Sequence, residues 1–228
     1  MNLYIVATPI GNLKDITLRA IETLKSADIV ICEDTRVTKK LLDAYDISKP
    51  TISYHSHSKL SKIDEIIELL REGKNIAMVS DAGTPTISDP GSFLIEKARE
   101  AFGGELKIIP IPGPSALISA VSVSGFGDSA FTFYGFLPHK KGRETLFKEI
   151  SASDKVSVFY ESPHRILKAL ESLKEFLVPG RKISVARELT KMFEEIKVGT
   201  TEEILKYYTE NRDKVRGEFV IVVDRSYN

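Results

Sequence analysis

Three short apolar runs, Leu3 to Val6, Ile29 to Ile31 and Ile76 to Val79, contain no polar alternate and so present no face suited to water. Such runs read as strands covered on both sides. Between the second and third, Ile63, Ile66, Ile67 and Leu70 fall on one face of a helix that Gly73 can end. Strand, helix, strand in that order predicts a parallel sheet and an α/β fold.

Beyond Ser80, Asp89 suits an N-cap and Pro90 the first position of a helix running to Phe102, followed by a strand from Leu106 to Ile111. Three prolines and a glycine between Pro110 and Ser115 punctuate the chain and predict a boundary near Pro112, giving domains 1–112 and 113–228. The second half repeats the alternation, with strands expected at Phe131 to Phe136, Val156 to Tyr160, Ile183 to Ala186 and Phe219 to Val223. One intervening helix begins at Ser162-Pro163 and carries Ile166, Leu170, Leu173 and Leu177; another opens on a capping box, Thr200 with Glu203. The length of 228 residues suits two modest cores.

The 32 basic and 32 acidic residues cancel, so no overall field attracts nucleic acid and any RNA contact must come from a local patch. Cys32 is the one cysteine and ends an apolar run, which predicts a buried, inert thiol in a reducing compartment. No basic segment opens the chain, and no apolar stretch approaches the ~18 residues that span a bilayer, so the expected location is the cytoplasm, away from membranes.

Five loops follow strands and carry the candidate chemistry. Thr8-Pro-Ile-Gly-Asn12 lies where parallel sheets place ligands, but with Gly11 alone it lacks the three-glycine fingerprint of a dinucleotide site. Ser80 to Gly91 is long, polar and dense in residues that fix the backbone; small side chains at Ala82 and Gly83 let a ligand lie against main-chain groups, whereas capping explains only Asp89 to Gly91. Pro112 to Ala116 serves equally as a hinge or as a ligand wall. Glu33-Asp-Thr-Arg36 and Ala186-Arg-Glu-Leu-Thr-Lys191 set mixed charge straight after buried strands, where function and a structural ion pair are nearly balanced.

The basic stretch Pro138 to Arg143 offers Lys140, Lys141 and Arg143 to phosphate, or is a solvated loop. His55 and His57 share a predicted strand face without a third ligand, and His139 and His164 stand alone, so no metal site is expected.

In order, ATPIGNLKDIT, EDTR, SDAGTPTISDPG, PGPSA, GFLP, FYESPHR and ARELTK resemble the ribosomal RNA small subunit methyltransferase I family of the tetrapyrrole-methylase superfamily, through nearly the whole chain. The resemblance implies the two-domain class III methyltransferase fold, S-adenosylmethionine in a cleft between the domains, a homodimer, and methylation of a cytidine ribose 2′-hydroxyl in small-subunit ribosomal RNA or the 30S particle, with no DNA substrate. It places Ile10, Ala82, Gly83, Thr84, Ile87, Ser115, Ala116, Glu161 and Leu189 along the cofactor. Family members often carry a helical C-terminal extension, and this chain ends at Asn228, just after its last predicted strand.

Charge beside the expected cleft then suggests roles: Glu161, Glu188 or Lys191 supplies or tunes a base, Arg36 and Arg187 orient RNA phosphate, and Asp81 organises the cofactor loop. The competing expectations are a small-molecule methylase of tetrapyrrole or corrin type, which neutral charge favours, and a non-catalytic protein that binds cofactor or RNA during assembly.

Overall fold

The computed structural model describes residues 1–55, 60–127 and 129–226. The chain divides into two compact units, Met1–Ser115 and Ala116–Asn228.

In the first unit, strands β1 (Asn2–Val6), β2 (Ile29–Cys32), β3 (Thr51–Ser53), β4 (Ile76–Val79) and β5 (Lys107–Ile111) alternate with helices α1 (Leu18–Ser26), α2 (Thr35–Ala44), α3 (Leu60–Arg71) and α4 (Ser92–Phe102). The sheet order is β3-β2-β4-β1-β5, and every pairing is parallel. All four residues of β4 are buried, because side chains alternate between two cores. Ile76 and Met78 join Ile63, Ile66 and Leu70 of α3 and Leu94 and Ala98 of α4, whereas Ala77 and Val79 join Ala20 and Leu24 of α1 and Leu42 of α2. Each fully buried aliphatic side chain contributes about 1.5–3 kcal/mol of transfer free energy. Cys32 lies within the second of these cores as a free thiol.

The second unit contains α5 (Ala116–Ser124), β6 (Phe131–Phe136), α6 (Arg143–Ala152), β7 (Val156–Glu161), α7 (Ile166–Phe176), β8 (Lys182–Arg187), β9 (Glu195–Thr200), α8 (Thr201–Glu210) and β10 (Phe219–Val223). Its sheet, ordered β6-β7-β10-β8-β9, is parallel only between β6 and β7. Helices α6, α7 and α8 cover one face around Phe147, Phe159, Leu170, Tyr208 and Ile221, while α5 packs against β10 and β8. Thr200 and Glu203 form the expected capping box.

The structure departs from the sequence reading at several elements. Helix α4 starts at Ser92 with Gly91 as its cap, so Asp89 and Pro90 remain in the loop. Helix α7 begins at Ile166, after a turn in which Ser162 O accepts from the Arg165 and Ile166 N–H groups at 3.0 Å each. β3 ends at Ser53, so His55 lies beyond it, and His57 is outside the described residues. No helix among the described residues is long and apolar enough to cross a membrane.

Candidate functional site

At the carboxyl end of the first sheet the loops are laced together by backbone groups. Thr8 and Gly83 exchange both main-chain hydrogen bonds, at 2.9 and 3.0 Å. The Thr8 hydroxyl donates to Ser80 O and the Ser80 hydroxyl to Gly83 O, each at 3.0 Å. Thr84 donates to Pro114 O at 3.3 Å, and a Cβ added to Gly83 would lie 3.5 Å from Ile10 Cγ2 and 3.9 Å from Pro114 O. Asp81 accepts the Asp34 N–H at 3.0 Å, which ties in the loop after β2. The expected cofactor residues Ile10, Asp81, Gly83 and Thr84 therefore stand together, with Ala82 and Ile87 exposed beside them. The sequence flagged the loop that begins at Thr8 by its place after a strand, but not the pairing of Thr8 with Gly83.

Backbone strain marks the loop after β4 in the first unit and the loop after β8 in the second. Among the described non-glycine residues, Thr86 (φ 74°), Ser88 (φ 63°), Glu188 (φ 52°) and Thr190 (φ 67°) have positive φ, joined only by Asp46 at the end of α2. Each costs of the order of 1–3 kcal/mol outside glycine, and such residues concentrate where ligands bind. Gly91 (φ 135°) is also crowded: a Cβ would lie 2.7 Å from Met78 Cε, and the buried Met78 side chain would have to shift.

Charge at these strand ends is predominantly negative. Glu33, Asp34, Thr35, Arg36, Ser53, His55 and Asp81 line a cavity of about 540 Å³. Burial, followed by the charge of Asp81, raises the Glu33 carboxyl. Asp89 is pushed up to about 6 by burial and then by the Glu33 charge. Asp34 caps α2 and is lowered to about 2 by its bonds with Arg36, whose side chain is 87% exposed. Among the described residues no group of three or more His, Cys, Asp or Glu side chains is arranged to hold a metal.

In the second unit Glu161 ends β7 with its side chain wholly buried. Its carboxylate meets Arg143 and Arg165 at 2.8 Å each and accepts the Ser162 N–H at 2.9 Å. This corrects the expectation that Arg143 contacts RNA phosphate, because its guanidinium is buried and bound to Glu161 and to Pro138 O. It also corrects Glu161 as a base, since both of its oxygens are occupied by cationic or amide donors. Lys140 and Lys141 remain exposed.

Arg187 is likewise buried, donating to Phe193 O at 3.0 Å and Arg216 O at 3.5 Å, which removes it from phosphate. Burial alone would raise Glu188, but hydrogen bonds from Lys191 and the Glu218 N–H outweigh it and hold the carboxyl below its usual range. Burial likewise opposes the charge on Lys191, and its bonds to Glu188 (2.9 Å) and Glu218 (3.0 Å) hold its pKa above the usual value. Lys191 is thus a fixed cation, able to stabilise negative charge and unable to take up a proton near neutrality. Leu189 is buried, and Ser115 and Ala116, where the first unit ends and the second begins along the chain, are partly exposed.

The fold is that of the corrin and porphyrin methyltransferases. The structure superposes on the methyltransferase CobJ with a TM-score of 0.70 at 19% identity, covering 98% of this chain and 94% of that one. It superposes on uroporphyrin-III-C-methyltransferase from Thermus thermophilus with 0.67 at 17%, over 98% and 94%. Residues 2–205 match the profile of the Tetrapyrrole (Corrin/Porphyrin) Methylases, and the chain belongs to that family.

Relatives named ribosomal RNA small subunit methyltransferase I share much more sequence. The Bacillus subtilis protein is 46% identical over 99% of this chain and 76% of its own length, and that of Thermotoga maritima 45% identical over 97% of both. Within the wider family the chain belongs to the group these relatives define.

Proposed function

We propose that the chain transfers the methyl group of S-adenosylmethionine to a cytidine ribose 2′-hydroxyl in small-subunit ribosomal RNA, acting in the cytoplasm as a homodimer. The observation that carries this reading is identity of 46% across 99% of the chain with a protein named ribosomal RNA small subunit methyltransferase I.

The first unit fits the cofactor in two respects. Ala82 and Gly83 leave main-chain groups approachable, and Glu33, Asp81 and Asp89 set negative charge near a ligand whose sulfonium and ammonium are positive. Ile10, Asp81, Ala82, Gly83, Thr84 and Ile87 would hold it there, and the superfamily likeness adds Ser115, Ala116, Glu161 and Leu189. When bound, the cofactor supplies an activated methyl group.

The chain's own residues then contribute mainly by orientation. Correct juxtaposition supplies about 7–11 kcal/mol, against about 3–5 kcal/mol for a general base. Glu188 is the remaining carboxylate among the three base candidates, and Lys191 steadies it. Arg36, Lys140 and Lys141 are exposed cations suited to RNA phosphate.

Purified chain with labelled S-adenosylmethionine and undermethylated small subunits tests the reading. One labelled ribose is expected. Label on a tetrapyrrole and none on RNA would replace it with the small-molecule reading, and cofactor binding without any turnover would leave a non-catalytic assembly protein.

A further inference from the structure

We propose that Phe133, Phe136 and Tyr160, with Lys140 and Lys141 on the loop that follows, form a stacking platform for unpaired bases of the RNA substrate. The inference deepens the RNA reading above and rests on it.

In a regular strand, residues three apart point to opposite faces. Phe133 and Phe136 nevertheless flank one ring: their centroids lie 5.0 and 5.3 Å from that of Tyr160, edge to face. The cause is a bulge. Phe133 stands opposite Val158 and Phe136 opposite Tyr160, so three steps on β6 match two on β7, with Gly135 in the left-handed region at φ 61°. Without the bulge, Phe136 would turn to the face of Tyr134 and Phe159, which belong to the core under α6, α7 and α8. Instead it stands 58% exposed, and Phe133 and Tyr160 are partly exposed behind it. The bulge thus exchanges a core-facing position for an exposed ring against Tyr160.

The basic loop starts where this aromatic strip ends. Arg165 donates to Leu137 O at 3.0 Å and Arg143 to Pro138 O at 3.2 Å, so the buried Glu161 cluster fixes its base. Lys140 and Lys141 are exposed and form no ion pair with a described residue. An exposed ring backed by two partly exposed ones, followed by unneutralised cations, matches a single strand with stacked bases and a phosphate backbone. A second copy of the chain matches poorly, because a two-fold contact on this patch would bring the same lysines together.

The chain contains no tryptophan, so Phe136→Trp installs a single indole on the platform that can be excited apart from the tyrosines. A single-stranded oligoribonucleotide of cytidine and uridine should quench it, while the same sequence as a duplex, and inorganic tripolyphosphate, should not. Phe136→Ala should weaken single-strand binding by about 10-fold, within the range of about 5- to 150-fold expected for one stacked base. It should also raise KM for undermethylated small subunits with little change in kcat, and Phe136→Trp should restore KM. Absence of quenching, or unchanged binding by Phe136→Ala, overturns the proposal, as does conversion of a dimer to monomers by that substitution in sedimentation. Should quenching and weakened binding appear while the wild-type chain methylates no subunit, the platform stands and the methyltransferase reading fails.

Discussion

The Arg143 guanidinium meets the Glu161 carboxylate at 2.8 Å with both side chains shielded from water, and Arg165 meets the other carboxylate oxygen at the same distance. Removing one member strands a buried charge, a loss of about 3–5 kcal/mol. Arg143→Ala should therefore lower the urea midpoint substantially. Glu144→Ala, which breaks the solvent-exposed pair with Lys148, should leave it unchanged.

Asp89 carries a pH signature. Its folded pKa of about 6 lies above the ordinary 3.8, so the folded chain holds this proton more tightly than the unfolded chain. Stability from this group is full below the unfolded value, falls between about pH 4 and 6, and stays lost above. Asp89→Asn should raise Tm relative to wild type at pH 7 and give no difference at pH 4. An equal shift at both pH values would contradict this account.

Gly91 and Gly73 separate steric from conformational cost. Both have positive φ, but a Cβ at Gly91 meets Met78 Cε at 2.7 Å, whereas at Gly73 nothing lies within 4 Å. Gly73→Ala should cost about 1 kcal/mol in thermal unfolding, the backbone term alone. Gly91→Ala should cost at least twice that and weaken S-adenosylmethionine binding in calorimetry, because it displaces the strained loop.

Arg36 and Glu188 should differ in what they change. Arg36→Ala should weaken RNA binding with a salt dependence shallower by about one counterion and leave cofactor affinity intact. Glu188→Gln should lower kcat by at most about 10²–10⁴, with residual methylation in single-turnover assays, because orientation persists without the base.

The two-sided strands β1, β2 and β4 were legible from their unbroken apolar runs, and the capping box from Thr200 and Glu203 alone. β9 was not, because Glu195, Lys197 and Gly199 interrupt it; at the edge of the sheet it buries no residue fully and leaves Val198 exposed. The loops around Thr8 and Gly83 could be flagged by their place after strands, but not their mutual bonds, which join residues distant in the chain. Arg143 and Arg187 show the main limit. A charged residue in a basic or mixed string looks available until the fold supplies its partner, here Glu161 for one and the Phe193 and Arg216 carbonyls for the other. The Gly135 bulge left no periodic signature at all, since it breaks the period.

The interior position of β1, between β4 and β5, has a consequence for synthesis. Asn2 pairs beside Lys107, and Leu3 beside Ile76, so neither neighbour of this strand exists when it leaves the ribosome. At about 5–20 residues per second, its second flank arrives about 5–20 s later. Meanwhile β2 can pair locally with β3, Val30 beside Thr51, and wait for β4 to join it. The nascent chain thus carries an unpaired apolar strand through most of the translation of its first half, a natural target for a chaperone that binds extended apolar segments.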